Sequence, residues 1–171
     1  KNPVNDARGM AEELRRAGFE VVSGIDLGRA AMLEAIRAYG QSLSRSGPVG
    51  LFYFAGHGVQ LGWRNYLLPT DARVERPEDI QRNCIDLNAV IEGMGKAGNP
   101  MNVIILDACR DNPFGSALQM TQKGLSQLDA PPGTLLAYAT SPGNVANDGE
   151  GANGLYTELL LREIKIPDAK I

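Results

Sequence analysis

The sequence predicts a single α/β domain in which a mostly parallel sheet carries helices on both faces. Two runs, "VGLFYFAGHG" and "MNVIILDAC", are apolar almost throughout and have the length of a strand, which is typical of parallel strands covered on both sides. Segments with helical periodicity alternate with strand-like runs along the chain, and that order favours a sheet built with crossover helices. With 171 residues, the chain has the size of one domain and can close one hydrophobic core.

Four segments predict helices, because their apolar residues recur every three or four positions. In chain order they are "NDARGMAEELRRAG", "GRAAMLEAIRAYGQSL", "DLNAVIEGMGKAG" and "LYTELLLREI". Asn5 or Asp6 is available to cap the first helix, and Asp86 is available to cap the third. In the fourth helix, the residues expected to face the core are Tyr156, Leu159, Leu160 and Ile164.

The remaining segments predict two more strands and two long loops. "FEVVSGI" and "GTLLAYATS" have strand-like composition, and "GWRNYLLPTDA" has the pattern of a short extended excursion after the first apolar run. Residues 111–132 are polar, interrupted by Gly and Pro and weakly periodic, which predicts a long loop or linker. "PGNVANDGEGANG" predicts a glycine-rich loop.

Composition excludes several classes of function. The net charge is −3 and the 17 Lys and Arg residues are dispersed, which argues against a nucleic-acid or membrane-surface partner. Two cysteines are too few for a disulfide framework, and with the single histidine they offer no metal site at zinc spacing. No run approaches the ~20 apolar residues of a membrane span. No glycine-rich phosphate-binding motif follows a strand, which disfavours a nucleotide-binding domain.

Two reactive residues stand at the carboxyl ends of apolar strands. His57 ends the first apolar run and Cys109 ends the second, and reactive groups gather at this rim of a parallel sheet. Either residue alone is more often structural, but an imidazole and a thiol on one rim form the pair that nucleophilic acyl transfer needs. The peptide N–H groups of Gly58 and Cys109 are candidates to hold the oxyanion. The neighbours of the other cysteine, Cys84, favour a packing role over a redox role.

Five blocks of the sequence resemble the bacterial caspase-like peptidases, the metacaspase and orthocaspase branch of the caspase fold. "YFAGHGVQ" and "ILDACRDNPF" resemble the His and Cys blocks, and the others are "NPVNDARGMAEELRRAGFEV", "LLAYATSPGNVANDG" and "NGLYTELLL". The resemblance implies one catalytic domain over 1–171, a three-layer sandwich, with 1–114 large-subunit-like, 115–132 a linker and 133–171 partly small-subunit-like. It also implies that the family's first strand is missing from this chain.

The resemblance assigns roles to four residues. It implies that His57 and Cys109 are the catalytic dyad of a cysteine endopeptidase. It matches Asp6 in "VNDA" and Asp107 in "DAC" to the acidic residues that line the primary specificity pocket. Two carboxylates there favour protein or peptide substrates cleaved after Arg or Lys. Taken from the residues alone, Asp6 keeps helix capping as an alternative role.

The resemblance also carries expectations about cofactors and processing. Calcium-dependent relatives have an acidic cluster after the His block, where only Asp71 matches here, so we expect no cofactor, no metal and no calcium dependence. The family's linker is often cut, and Lys123 in "TQKGLS" is its one basic residue past Phe114. We therefore expect self-cleavage after Lys123, with constitutive single-chain activity as the alternative.

One alternative function and the cellular compartment stay open at this point. The chain could be a catalytically silent caspase-like interaction or regulatory module, although the presence of both His57 and Cys109 favours the enzyme. A reduced nucleophile favours the cytoplasm, and the periplasm is the alternative if a leader was removed before residue 1. The sequence does not determine the oligomeric state.

Overall fold

The computed structural model describes residues 2–43, 47, 49–109, 114, 125–126, 128–139 and 151–166. Its helices are α1 (Asn2–Arg16), α2 (Arg29–Leu43), α3 (Pro77–Asn83), α4 (Leu87–Lys96) and α5 (Leu155–Ile164). Its strands are β1 (Val49–Leu61), β2 (Arg64–Leu67), β3 (Ile85–Asp86), β4 (Met101–Cys109) and β5 (Thr134–Tyr138).

The strands form one five-stranded sheet in the order β3-β2-β1-β4-β5. The neighbouring strands β1, β4 and β5 are parallel to one another, as the apolar runs predict. β2 returns antiparallel along the end of β1, and β3 pairs antiparallel with β2, which accounts for the short extended excursion after the first apolar run. The predicted α/β class with a mostly parallel sheet is confirmed.

Helices cover both faces of this sheet. Alternate side chains of a strand point to opposite faces. Phe52, Phe54, Ile104 and Leu106 join a core cluster with residues of α2 and α4. Tyr53, between those two phenylalanines, instead contacts Thr157 of α5, and α5 in turn contacts α1. The domain therefore has three layers, with α2 and α4 on one side and α1 and α5 on the other.

The segment "FEVVSGI" is not a strand, contrary to the prediction. Residues 19–25 have no strand assignment, because a strand needs hydrogen-bonded neighbours and no described strand pairs with this segment. A cavity of about 540 Å³ separates residues 19–24 from β1. Seven consecutive residues, Leu51 to His57, line this cavity and no β4 residue does, so it lies beside the edge of β1 rather than over a face. Among the described strands, none pairs with this part of the β1 edge.

Two of the predicted helices differ in detail from the structure. α1 begins at Asn2, so Asp6 lies inside it and is buried, and the capping role considered for Asp6 is wrong. In α5 the buried face carries Thr157, whereas Leu159 is 43% exposed and does not face the core as expected. Asp86 does cap α4, accepting a hydrogen bond from the backbone N–H of Asn88.

Among the described residues, no helix has the length and apolarity needed to span a membrane.

Candidate active site

The ladder between β1 and β4 ends where His57 and Cys109 face each other. The parallel register runs without interruption from Val49 opposite Met101 to His57 opposite Cys109. Beyond His57 the strand changes neighbour, and Gly58 pairs with Leu67 of β2. β1 therefore continues past His57 as one arm of a hairpin, although the sequence predicted a strand end there. His57 is exposed at this change of neighbour, at the carboxyl end of the parallel part of the sheet.

The glycines on either side of His57 are required by close packing. Gly56 has φ of +158°, and a Cβ there would lie 2.9 Å from the ring of Phe54. A Cβ on Gly58 would lie 2.9 Å from Cδ2 of Leu125 and 3.4 Å from Cβ of Ala108. A larger residue at either position would require the side chain of Phe54 or of Leu125 to shift. The candidate oxyanion donors, the N–H groups of Gly58 and Cys109, lie on the neighbouring strands β1 and β4.

Asp6 is almost fully buried, with 3% of its surface exposed, and is held by the start of α5. Its Oδ1 accepts hydrogen bonds from Nδ2 of Asn153 at 2.8 Å and from the backbone N–H of Gly154 at 3.0 Å. No hydrogen bond from the described residues reaches its Oδ2. These two hydrogen bonds hold the carboxylate of Asp6 against the start of α5.

Asp107 stands two residues before Cys109 on β4 and is half-buried. Its Oδ2 accepts a hydrogen bond from Oγ1 of Thr157 at 2.5 Å, and Oγ1 of Thr157 lies 2.5 Å from the hydroxyl of Tyr53. A methyl group added at Gly154 would lie 3.3 Å from Oδ2 of Asp6 and 3.5 Å from Oδ2 of Asp107. The two oxygens are therefore no farther apart than the sum of these distances, about 6.8 Å.

Two tyrosines beside this acidic pair have raised pKa values, mainly because they are buried. Burial is the main cause of the raised pKa of Tyr53. The hydrogen bond with Thr157 opposes this shift, while the negative charges of Asp107 and Asp6 add to it. Burial and then Asp107 raise the pKa of Tyr156. Both phenols therefore stay protonated at neutral pH.

Part of the predicted linker over 115–132 is anchored beside Gly58 of β1. Leu125 is 2% exposed and contacts the main core, and Ser126 is also buried. The side chain of Asn65 donates to the carbonyl of Ser126 at 2.8 Å and accepts from its N–H at 2.7 Å. Lys123 lies outside the described residues.

Almost the whole chain matches one known protein family. The model of the caspase domain, peptidase family C14, matches residues 1–170. The chain belongs to the caspase-domain family. Its members are cysteine peptidases, which agrees with a histidine and a cysteine paired at the rim of the sheet.

Two curated relatives of this caspase domain are animal proteins. The chain is 28% identical over 176 residues to the "Mucosa-associated lymphoid tissue lymphoma translocation protein 1 homolog" of Mus musculus. It is also 28% identical over 176 residues to the "Mucosa-associated lymphoid tissue lymphoma translocation protein 1" of Homo sapiens. In each case all of this chain is matched, and it spans 20% of the relative's length. The assignment to the bacterial branch stays a prediction.

The caspase domain also contains residues that sequence patterns did not single out. Thr157 is the buried residue of α5, and the signal in the sequence is no more than a threonine among the apolar residues of "LYTELLLREI". Asn65 is fully buried in a hairpin, where asparagine usually marks a turn. Cys84 is buried with Val59 and Ile80, and burial raises its pKa to about 11, which agrees with a packing role. Within the described ranges, no three His, Cys, Asp or Glu residues form a group that could hold a metal ion.

Proposed function

We propose that this caspase domain is a cysteine endopeptidase that uses His57 and Cys109 and cleaves protein or peptide substrates after Arg or Lys. The observation that carries the proposal is the register of β1 and β4, which makes His57 and Cys109 direct neighbours. Adjacent strands lie about 4.8 Å apart, so this pairing brings the backbones of the two residues to neighbouring-strand distance. His57 is exposed, which leaves it accessible to a substrate.

The proposed reaction follows the order of acyl transfer to a thiol. His57 takes the proton of Cys109, and the thiolate attacks the carbonyl carbon of the scissile peptide bond. The N–H groups of Gly58 and Cys109 stabilise the oxyanion of the tetrahedral intermediate. The C–N bond then breaks, and His57 protonates the departing amine. Water, deprotonated by His57, attacks the thioester that remains, which releases the carboxylic acid and regenerates the thiol.

Specificity for a basic residue rests on the carboxylates of Asp6 and Asp107, which are both hydrogen-bonded to the start of α5. Oδ2 of Asp6 and Oδ2 of Asp107 are within about 6.8 Å of each other and both border the same point next to Gly154. A guanidinium carries donors on several edges of one plane and can contact two carboxylates at once. A carboxylate side chain in the same place would be repelled, so cleavage after Asp is disfavoured.

The test is hydrolysis of fluorogenic peptides that end in Arg, Lys or Asp. We expect turnover of the basic peptides by the wild type and by Cys84→Ala, the matched control at the other cysteine. We expect none by Cys109→Ala or His57→Ala. A folded wild-type protein that cleaves no basic peptide would point to the catalytically silent module. Preference for the Asp peptide would refute the role of Asp6 and Asp107.

Self-cleavage after Lys123 is part of the same proposal. The support is the anchoring of Leu125 and Ser126, because a segment fixed beside Gly58 and Ala108 lies close to the dyad in space. We expect the purified wild type to contain two fragments and the Cys109→Ala and Lys123→Gln variants to stay intact. Intact mass spectrometry measures this directly. A wild type as intact as Cys109→Ala favours constitutive single-chain activity.

A further inference from the structure

A buried hydroxyl pair lies behind one carboxylate of the proposed specificity pocket. Thr157 is fully buried, and its Oγ1 stands between the hydroxyl of Tyr53 and Oδ2 of Asp107, 2.5 Å from each. These three residues come from three different elements: β1, β4 and α5. Neither hydroxyl takes part in the proposed reaction.

The chemistry of these groups sets the direction of the two hydrogen bonds. An ionised carboxylate can only accept, so the single hydroxyl proton of Thr157 goes to Asp107. Thr157 then has no proton left for Tyr53, and the phenol of Tyr53 must be the donor in the second bond. The phenol can do so because it stays protonated. The result is a one-way chain from Tyr53 through Thr157 to Asp107.

The same helix turn holds the other carboxylate. Gly154 and Thr157 are three residues apart at the start of α5, a spacing that places them on one side of the helix. The N–H of Gly154 donates to Asp6, and the hydroxyl of Thr157 donates to Asp107. The first turn of α5 therefore sets the separation of the two carboxylates.

We propose that Thr157 is a positioning residue for substrate specificity, which fixes Asp107 opposite Asp6 so that both carboxylates meet a basic substrate side chain, with Tyr53 supporting Thr157 from behind. This rests on the proposed preference for Arg or Lys. Thr157 does not touch the substrate or the reacting atoms. Its loss should therefore weaken recognition of the basic side chain and leave the chemical step at His57 and Cys109 almost unchanged.

The test compares Thr157→Val, which keeps the shape and removes the hydroxyl, with Thr157→Ser, which keeps the hydroxyl. For Thr157→Val we expect KM for an Arg peptide and the inhibition constant of agmatine to rise about tenfold, the size of one hydrogen bond to a charged group. We expect kcat to stay within about twofold. Thr157→Ser should restore both constants to within about twofold of wild type, because a serine hydroxyl can make the same donation.

A second pair of variants keeps the proposal testable if Thr157→Val does not fold. Tyr53→Phe removes the rear donor, and we expect KM and the agmatine inhibition constant to rise about fivefold, the factor that corresponds to the ~1 kcal/mol of a net hydrogen bond. The matched control is Tyr156→Phe. The negative charge of Asp107 also raises the pKa of this phenol, but the phenol makes no hydrogen bond among the described residues. This variant should leave both constants unchanged.

The outcomes separate this inference from the proposed function. Unchanged KM and agmatine inhibition in folded Thr157→Val, beside an active wild type, would overturn the positioning role and leave the peptidase proposal standing. A loss confined to kcat, or no rescue by serine, would overturn it as well. A wild type without activity on basic peptides would refute the proposed function and, with it, the inference.

Discussion

Replacing Asp6 with asparagine tests the acidic pocket with the least disturbance of its structure. The substitution removes one negative charge and keeps the size of the side chain. Oδ1 of Asp6 accepts from Asn153 and from the backbone of Gly154, and the amide oxygen of asparagine can accept the same two hydrogen bonds. The fold around the start of α5 should therefore persist while the attraction for a basic side chain falls.

The expected magnitude follows from the interaction that is removed. A hydrogen bond to a charged group contributes about 1.5–3 kcal/mol, and each 1.36 kcal/mol corresponds to a factor of ten in rate. We therefore expect kcat/KM for Arg peptides to fall by about 10-fold to 150-fold in Asp6→Asn. Asp6→Ala should behave differently, because it also leaves the buried N–H of Gly154 without its acceptor. That variant should lose a further ~1–3 kcal/mol of unfolding free energy.

The assay combines steady-state kinetics on Arg and Lys peptides with urea denaturation of each variant. Asp129→Asn is the matched control, because it removes a carboxylate that is exposed. It should change neither kcat/KM nor stability. If Asp6→Asn keeps kcat/KM for Arg peptides within twofold of wild type, the two carboxylates do not form the specificity pocket.

Three further predictions address stability and cofactors. Asn65→Ala leaves the buried N–H and carbonyl of Ser126 without their side-chain partner, so urea denaturation should show a loss of about 1–3 kcal/mol for each group, and an unchanged midpoint would contradict the anchoring of the linker end. Burial raises the pKa of Cys84 from its ordinary value of 9.0 to about 11, so the stability that this buried thiol contributes is present below pH ~9 and is lost as pH rises toward 11. The free energy of unfolding should therefore decline less steeply over this pH range in Cys84→Ala than in the wild type. Parallel pH curves for the two proteins would contradict this prediction. Treatment with EGTA should leave peptidase activity unchanged, and a loss restored by added calcium would reverse that expectation.

The sequence predicted the elements that depend on local patterns. Both apolar strands and the helices α2 and α4 lie where periodicity placed them, because apolar spacing and the Asp86 cap act over a few residues. The rule that carboxyl ends of parallel strands share one rim predicted that His57 and Cys109 lie together, and the register of β1 and β4 agrees with this prediction. The strand predicted over residues 19–25 failed for the converse reason, since an extended segment becomes a strand only beside a hydrogen-bonded neighbour.

The sequence by itself determined the class of fold, the order of its main elements and the placement of His57 and Cys109 at strand positions. Only the tertiary structure decided that Asp6 is buried rather than a cap, and that Thr157 lies between Tyr53 and Asp107. Strand and helix formation follow from neighbours in the chain, whereas the acidic pair joins residues about a hundred positions apart. Their proximity depends on how α1, β4 and α5 pack together, and local sequence patterns carry no information about it.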